Sequence, residues 1–78
     1  MGLSAAVFPI PARGQVTLQL TGDELLHTKA LLVDVKGLVI RTILISDYNT
    51  PVDLHNLPGG LYVLQLANGS SLKIMHQE

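Results

Sequence analysis

The sequence predicts an all-β domain, an antiparallel sandwich or barrel of six to seven short strands with the sandwich preferred, and three observations carry that expectation. Short alternating or β-branched apolar runs recur at a spacing of about 8 to 12 residues, the rhythm of small β domains. Gly, Pro, Asn and Asp cluster between them. The one stretch that could be helical, "LTGDELLHTKALL", places Leu25, Leu26, Ala30 and Leu31 so that no 3.6-residue period survives Thr28 and Lys29.

At 78 residues the chain has room for one small core. It has no cysteine, so disulfides and thiolate metal sites are excluded, and cohesion must come from the 47% of residues that are hydrophobic. The formal charge is -1, and Arg13, Lys29, Lys36, Arg41 and Lys73 are scattered, so no basic stripe awaits a nucleic acid. No apolar run approaches the roughly 18 residues that span a bilayer, and "MGLSAAVFPIPARG" has neither the basic start nor the continuous apolar stretch of an export signal. Direct membrane insertion is not expected. We read residues 1–6 as linker or non-native residues, 7–78 as the domain, and the chain as a piece of a longer protein.

The elements follow in order. "QVTLQLT" sets Val16, Leu18 and Leu20 against Gln15, Thr17, Gln19 and Thr21, the period of a half-buried strand. "TGDE" is a turn, and "TKALLVDV" (28–35) alternates again, with Leu31, Val33 and Val35 expected on one face. Gly37 breaks that run, and "LVIRTILIS" (38–46) is apolar on both parities, so its facing stays open. "DYNTP" (47–51) reads as a loop and "VDL" (52–54) as at most a short strand. "LYVLQLA" and "SLKIMH" flank Asn68-Gly69, whose tolerance of positive φ at two central turn positions marks a hairpin.

"LPGGLY" (57–62) is the most informative turn. It lacks the cation and following helix of a phosphate loop, and Gly60 stands where a sortase tag has Thr. Pro58 suits the second position of a type II turn and Gly59 the positive φ of the third. Tyr62, four residues after Pro58, is placed like the tyrosine corner of immunoglobulin-like sandwiches, whose hydroxyl bonds upstream backbone; a generic turn with a packed tyrosine is the alternative.

No catalytic, metal or cofactor site is expected. His27, His55 and His76 are too far apart for a local ligand pair, Asp23-Glu24 begins no calcium loop, and no serine sits in a nucleophile elbow. Small sandwiches do, however, leave strand edges that invite another strand, so a strand-edge or swapped homodimer of the isolated module stays open.

Four landmarks together resemble the C-terminal sorting domain, type A, of the type IX secretion system. "FPIPARGQVTLQL" resembles its aromatic-Pro-Asn-Pro-x-x-Gly opening, with Phe8, Pro9, Pro11 and Gly14 matching. "LLVDVKGLVI" is similar to its apolar hairpin at Asp34 and Gly37. "VDLHNLPGGLYVLQL" matches its Leu-Pro-x-Gly-x-Tyr segment at Leu57, Pro58, Gly60 and Tyr62, and "SSLKIMHQE" its last strand at Lys73 and Ile74. The departures are Ile10 for Asn, Leu38 for a common Lys or Arg, and the ending His76-Gln77-Glu78. The resemblance spans residues 7–78.

The resemblance implies an immunoglobulin-like sandwich with no catalytic residue of its own. It implies a non-catalytic secretion signal that directs a larger cargo or machinery protein, in transit through the periplasm, to the outer-membrane translocon and on to the cell surface or medium. It also implies that a sortase-like C-terminal signal peptidase removes the domain from most cargo. The recognition candidates are Pro9, Pro11, Gly14, Asp34, Gly37, Leu57, Pro58, Gly60, Tyr62, Lys73 and Ile74. Strand addition to an open edge of the last strand, 71–76, fed by the turn through Tyr62, is the expected mode. The same hairpin could instead only close the sandwich. An adhesive or carbohydrate-binding immunoglobulin-like module and a structural spacer remain as other readings; a concave aromatic pocket would favour the former.

Overall fold

The computed structural model describes residues 5–9 and 11–77. Residues 1–4, Ile10 and Glu78 lie outside the described residues, and with them most of the expected linker, the departure at Ile10 and the last residue of the departing ending. Seven strands follow in order: β1 (Ala5–Phe8), β2 (Gln15–Leu20), β3 (Lys29–Val33), β4 (Val39–Leu44), β5 (Asn49–Asp53), β6 (Gly60–Gln65) and β7 (Ser71–His76). They form two antiparallel sheets, β1-β2-β5 and β4-β3-β6-β7. First, second and fifth strands against third, sixth and seventh is the arrangement of immunoglobulin-like sandwiches, with the fourth strand here added beside the third. Ala5 and Ala6, inside the expected linker, are the first residues of β1.

The core lies between the sheets. β2 supplies Val16, Leu18 and Leu20, β3 Ala30 and Leu32, β6 Tyr62 and Leu64, and β7 Ile74, while Leu25, Ile45 and Leu54 fill it from connecting segments. Residues 21–28 form consecutive turns, closed by Leu26 N–H to Asp23 C=O (3.0 Å) and Thr28 N–H to Leu25 C=O (3.2 Å).

Leu31 and Val33 share one face of β3, as expected, and that face is the outer one. Ala30 and Leu32 are buried in the core, Leu31 and Val33 point away from it, and Val35 is 74% exposed in the following turn. Apolar residues occupy both parities, and the small Ala30 hides the true inward set. Asp34 governs that turn: its carboxylate accepts the Lys36 and Leu38 N–H groups (2.9 and 3.0 Å), and Gly37 takes φ 83°. On β4, Leu32 pairs with Arg41 but Val33 with Val39, so Ile40 is a bulge residue. Ile40 and Ile43 pack on the core while Val39, Thr42 and Leu44 are exposed.

Two loops also differ. Residues 49–51, expected as loop, belong to β5, which pairs only with β2. Pro51 is tolerated because an edge strand has one side with no ladder to donate to. In the β6–β7 hairpin the central turn residues are Ala67 and Asn68, closed by Gly69 N–H to Leu66 C=O (3.0 Å), and within this turn Gly69 has the positive φ, 90°. Asn68 instead uses its side chain, accepting the Ser70 N–H at 3.0 Å.

The strand directions define two poles. At one, β3 ends and β4 begins, β6 begins and β7 ends, and β2 begins where β5 ends. At the other lie the connections 21–28, 45–48 and 66–70, together with the start of β1, since Ala5 pairs with Leu20.

Candidate functional site

The candidates converge on the first pole. Pro9, Pro11 and Gly14 lie between β1 and β2, Asp34 and Gly37 between β3 and β4, and Leu57 and Pro58 lead into β6 at Gly60. Gly60 pairs with His76, and Val33 pairs with both Val39 and Val63, so these connections share one end of the molecule. Tyr62 and Ile74 pair across β6 and β7 and point into the core, whereas Lys73 opposes Val63 on the outer face. Tyr62 and Ile74 therefore hold the pole from beneath.

The turn ahead of β6 sits earlier than the sequence suggests. Leu57 N–H closes on Leu54 C=O at 3.2 Å, with Asn56 at φ 65°, while Pro58-Gly59 is a bend and the positive φ falls on Gly60, 146°. Asn tolerates the left-handed region, which is why it substitutes for glycine here. The tyrosine corner itself is present: Tyr62 Oη donates to Pro58 C=O at 2.6 Å.

Residues 11–14 and β7 are joined by backbone. Ala12 N–H donates to Met75 C=O (2.8 Å) and Gln77 N–H to Ala12 C=O (2.7 Å), a parallel bridge to the outer edge of β7. The edge expected to be open is thus capped over its C-terminal half. Strand alternation turns the backbone groups of Ser71 and Lys73 outward as well, and no strand among the described residues caps this half.

His76, on β7, ties the Ala12 segment and the turn at Leu57 together through its ring. It is 6% exposed, with Nδ1 3.3 Å from Ala12 C=O and Nε2 3.2 Å from Leu57 C=O, and it meets the Tyr62 ring edge-on with centroids 6.2 Å apart. A neutral imidazole donates to one of these carbonyls and an imidazolium to both. Sequence reasoning treated His76 as incidental; its place in the series Leu72, Ile74, His76 was the available signal that it faces inward. Ala12, fully buried, carried no signal beyond lying between Pro11 and Gly14.

A cleft of about 560 Å³ opens beside this junction, walled chiefly by Arg13, Leu54, His55, Leu57, Pro58 and His76. A Cβ on Gly14 would come within 3.1 Å of the His55 ring, so glycine permits that close approach. The His55 N–H donates to Asp53 Oδ1 at 2.9 Å, and its ring Nδ1 lies 2.8 Å from the same oxygen. These contacts, the backbone one first, hold the Asp53 carboxyl below the usual carboxylate range. Arg41 reaches from β4 to donate to His55 C=O at 3.0 Å. Among the described residues no three His, Cys, Asp or Glu gather as metal ligands.

No curated protein and no solved structure matches the chain significantly. The family model of the secretion system C-terminal sorting domain matches residues 6–77. That match covers all seven strands except Ala5, and with it every position of the pole just described. The chain therefore belongs to the family of C-terminal sorting domains of the type IX secretion system.

Proposed function

We propose that this domain is the sorting signal by which a larger cargo or machinery protein is bound by the type IX translocon, and that the landmark pole together with β7 is what the translocon reads. The observation that supports this most is the gathering of Pro9 to Gly14, Asp34 to Gly37 and Leu57 to Gly60 around the Ala12–His76 junction. Membership in the family gives the coarser role, export across the outer membrane to the surface or medium. In the finer reading the cargo passes through the periplasm, the domain, expected over residues 7–78, includes the β1 residues Ala5 and Ala6 as well, and a sortase-like peptidase cuts ahead of it.

Recognition in this reading is by shape and backbone. The half of β7 not capped by Ala12, Ser71 to Lys73, offers outward N–H and C=O groups to an added strand. Catalysis plays no part. The walls of the cleft include no phenyl, phenol or indole ring, so a sugar platform finds no support there.

The test is to fuse the whole chain, from residue 1 so that β1 stays complete, behind an exported reporter in a bacterium carrying the system. Delivery of the reporter to the surface is expected. Retention in the periplasm would instead favour an adhesin or spacer. Removing residues 74–78 abolishes delivery in this reading, although loss of Ile74 and His76 also strips the core, so the uncapped edge is better probed by Lys73→Pro, which deletes one outward N–H.

A further inference from the structure

The two sheets present very different surfaces to solvent. Cross-strand partners share a face, so the registers give the outer face of each sheet directly. On the smaller sheet that face carries Gln15, Thr17, Gln19, Asn49 and Asp53, with Ala6, Phe8 and Pro51 among them, so polar residues predominate and interrupt the apolar ones. On the larger sheet one row runs Val39, Val33, Val63, Lys73 across all four strands, and Leu31, Leu61 and Met75 flank it.

None of Leu31, Val33, Leu61 and Val63 belongs to the core cluster. Val33 is only 4% exposed although it points outward, because its apolar neighbours on the same face cover it. Val39 and Met75 are 51% and 44% exposed at the sides. The charged residues on this face are Lys29 and Lys73, with no carboxylate among its strand residues. An apolar centre with cations at its margin and no acid is an interaction surface and not a solvated sheet.

We propose that the outer face of the β4-β3-β6-β7 sheet docks a protein partner whose surface is apolar at its centre and carboxylate-bearing at its rim. The inference rests on the sorting reading, which makes that partner a component of the secretion machinery, and it assigns the contact to this face in addition to the pole. Charge complementarity selects the occupant. A second copy would set Lys29 and Lys73 against like charges. Four strands of five or six residues also cover only roughly 20 by 20 Å, about half of what each side of a stable interface buries. A lipid surface would favour aromatic anchors at the margin, and this face has none.

The experiment compares display of the fused reporter for four chains: unmodified, Val63→Glu, Lys29→Glu/Lys73→Glu, and Thr17→Glu on the opposite sheet as a control. Urea unfolding of each purified chain checks that it is folded, and the double lysine variant, altering exposed side chains alone, remains informative if Val63→Glu fails to fold. Display is expected to fall at least tenfold for Val63→Glu and at least fivefold for the lysine pair, and to stay within twofold for Thr17→Glu. Unchanged display from folded face variants overturns the docking face and leaves the sorting reading standing; equal losses in the control also overturn it. Periplasmic retention of the unmodified fusion overturns both. Binding of the purified chain to phosphatidylglycerol vesicles, or a dimer in light scattering, each abolished by Val63→Glu, would replace the protein partner with a membrane or a second copy.

Discussion

Tyr62 does two things at once, and they separate in energy. Its ring is buried between the sheets, while its hydroxyl spans from β6 back to Pro58 C=O. Tyr62→Phe keeps the ring and removes the donor, so the expected loss is about 1 kcal/mol, seen as a lower urea midpoint with an unchanged slope. A loss of several kcal/mol would mean that the ring moves too, and no loss would mean that water serves Pro58 equally well. The same corner shows how far residue types speak for themselves. Tyr62 was legible because a tyrosine four residues past a proline at a strand start sits where its hydroxyl can reach the upstream backbone, with simple packing as the alternative. His76 was not, because its partners are two backbone carbonyls from distant segments and carbonyls leave no trace in side-chain identity.

Among the elements, β2 was read correctly in every residue because its polar and apolar positions never mix. The alternation of β3 was legible but its inward face was not, because Leu31 and Val33 are as apolar as the core pair Ala30 and Leu32, and the apolar outer surface of its sheet is the physical reason for that ambiguity. β5 was half missed because Pro51 argues against a strand unless the strand is known to be an edge, which only the sheet order reveals. β7 was read correctly as a strand, yet the parallel bridge from Ala12 to its edge pairs residues at opposite ends of the sequence and no local pattern announces it. That bridge divides the strand into halves of different accessibility. Amide hydrogen exchange should show the Gln77 N–H protected by at least tenfold over the outward Lys73 N–H, although Gln77 lies nearer the chain end; equal rates would mean that the edge is uncapped along its whole length.

For the whole molecule, one core between two sheets carries nearly all of the cohesion. Leu64 is fully buried at its centre, and Leu64→Ala should cost about 2–5 kcal/mol, a large part of the roughly 4–12 kcal/mol expected for a domain of this size. Urea unfolding would show this as a midpoint shift of a third or more, and a shift near zero would place Leu64 outside the cooperative core. Fold class and strand count were legible at this scale because periodicity and turn residues are local. The pole was legible only as an ordered set of landmarks, since its unity arises from strand direction and not from any residue in it.

Strand direction has one more consequence. β1 starts at the end of the molecule away from the Ala12–His76 junction and runs toward it. The point where a preceding polypeptide joins β1 and the proposed reading end are therefore the two far ends of the fold, like a tow bar and its hook. Under the proposed reading, that separation lets one signal serve passengers of different size and shape, which is the property a shared address label requires.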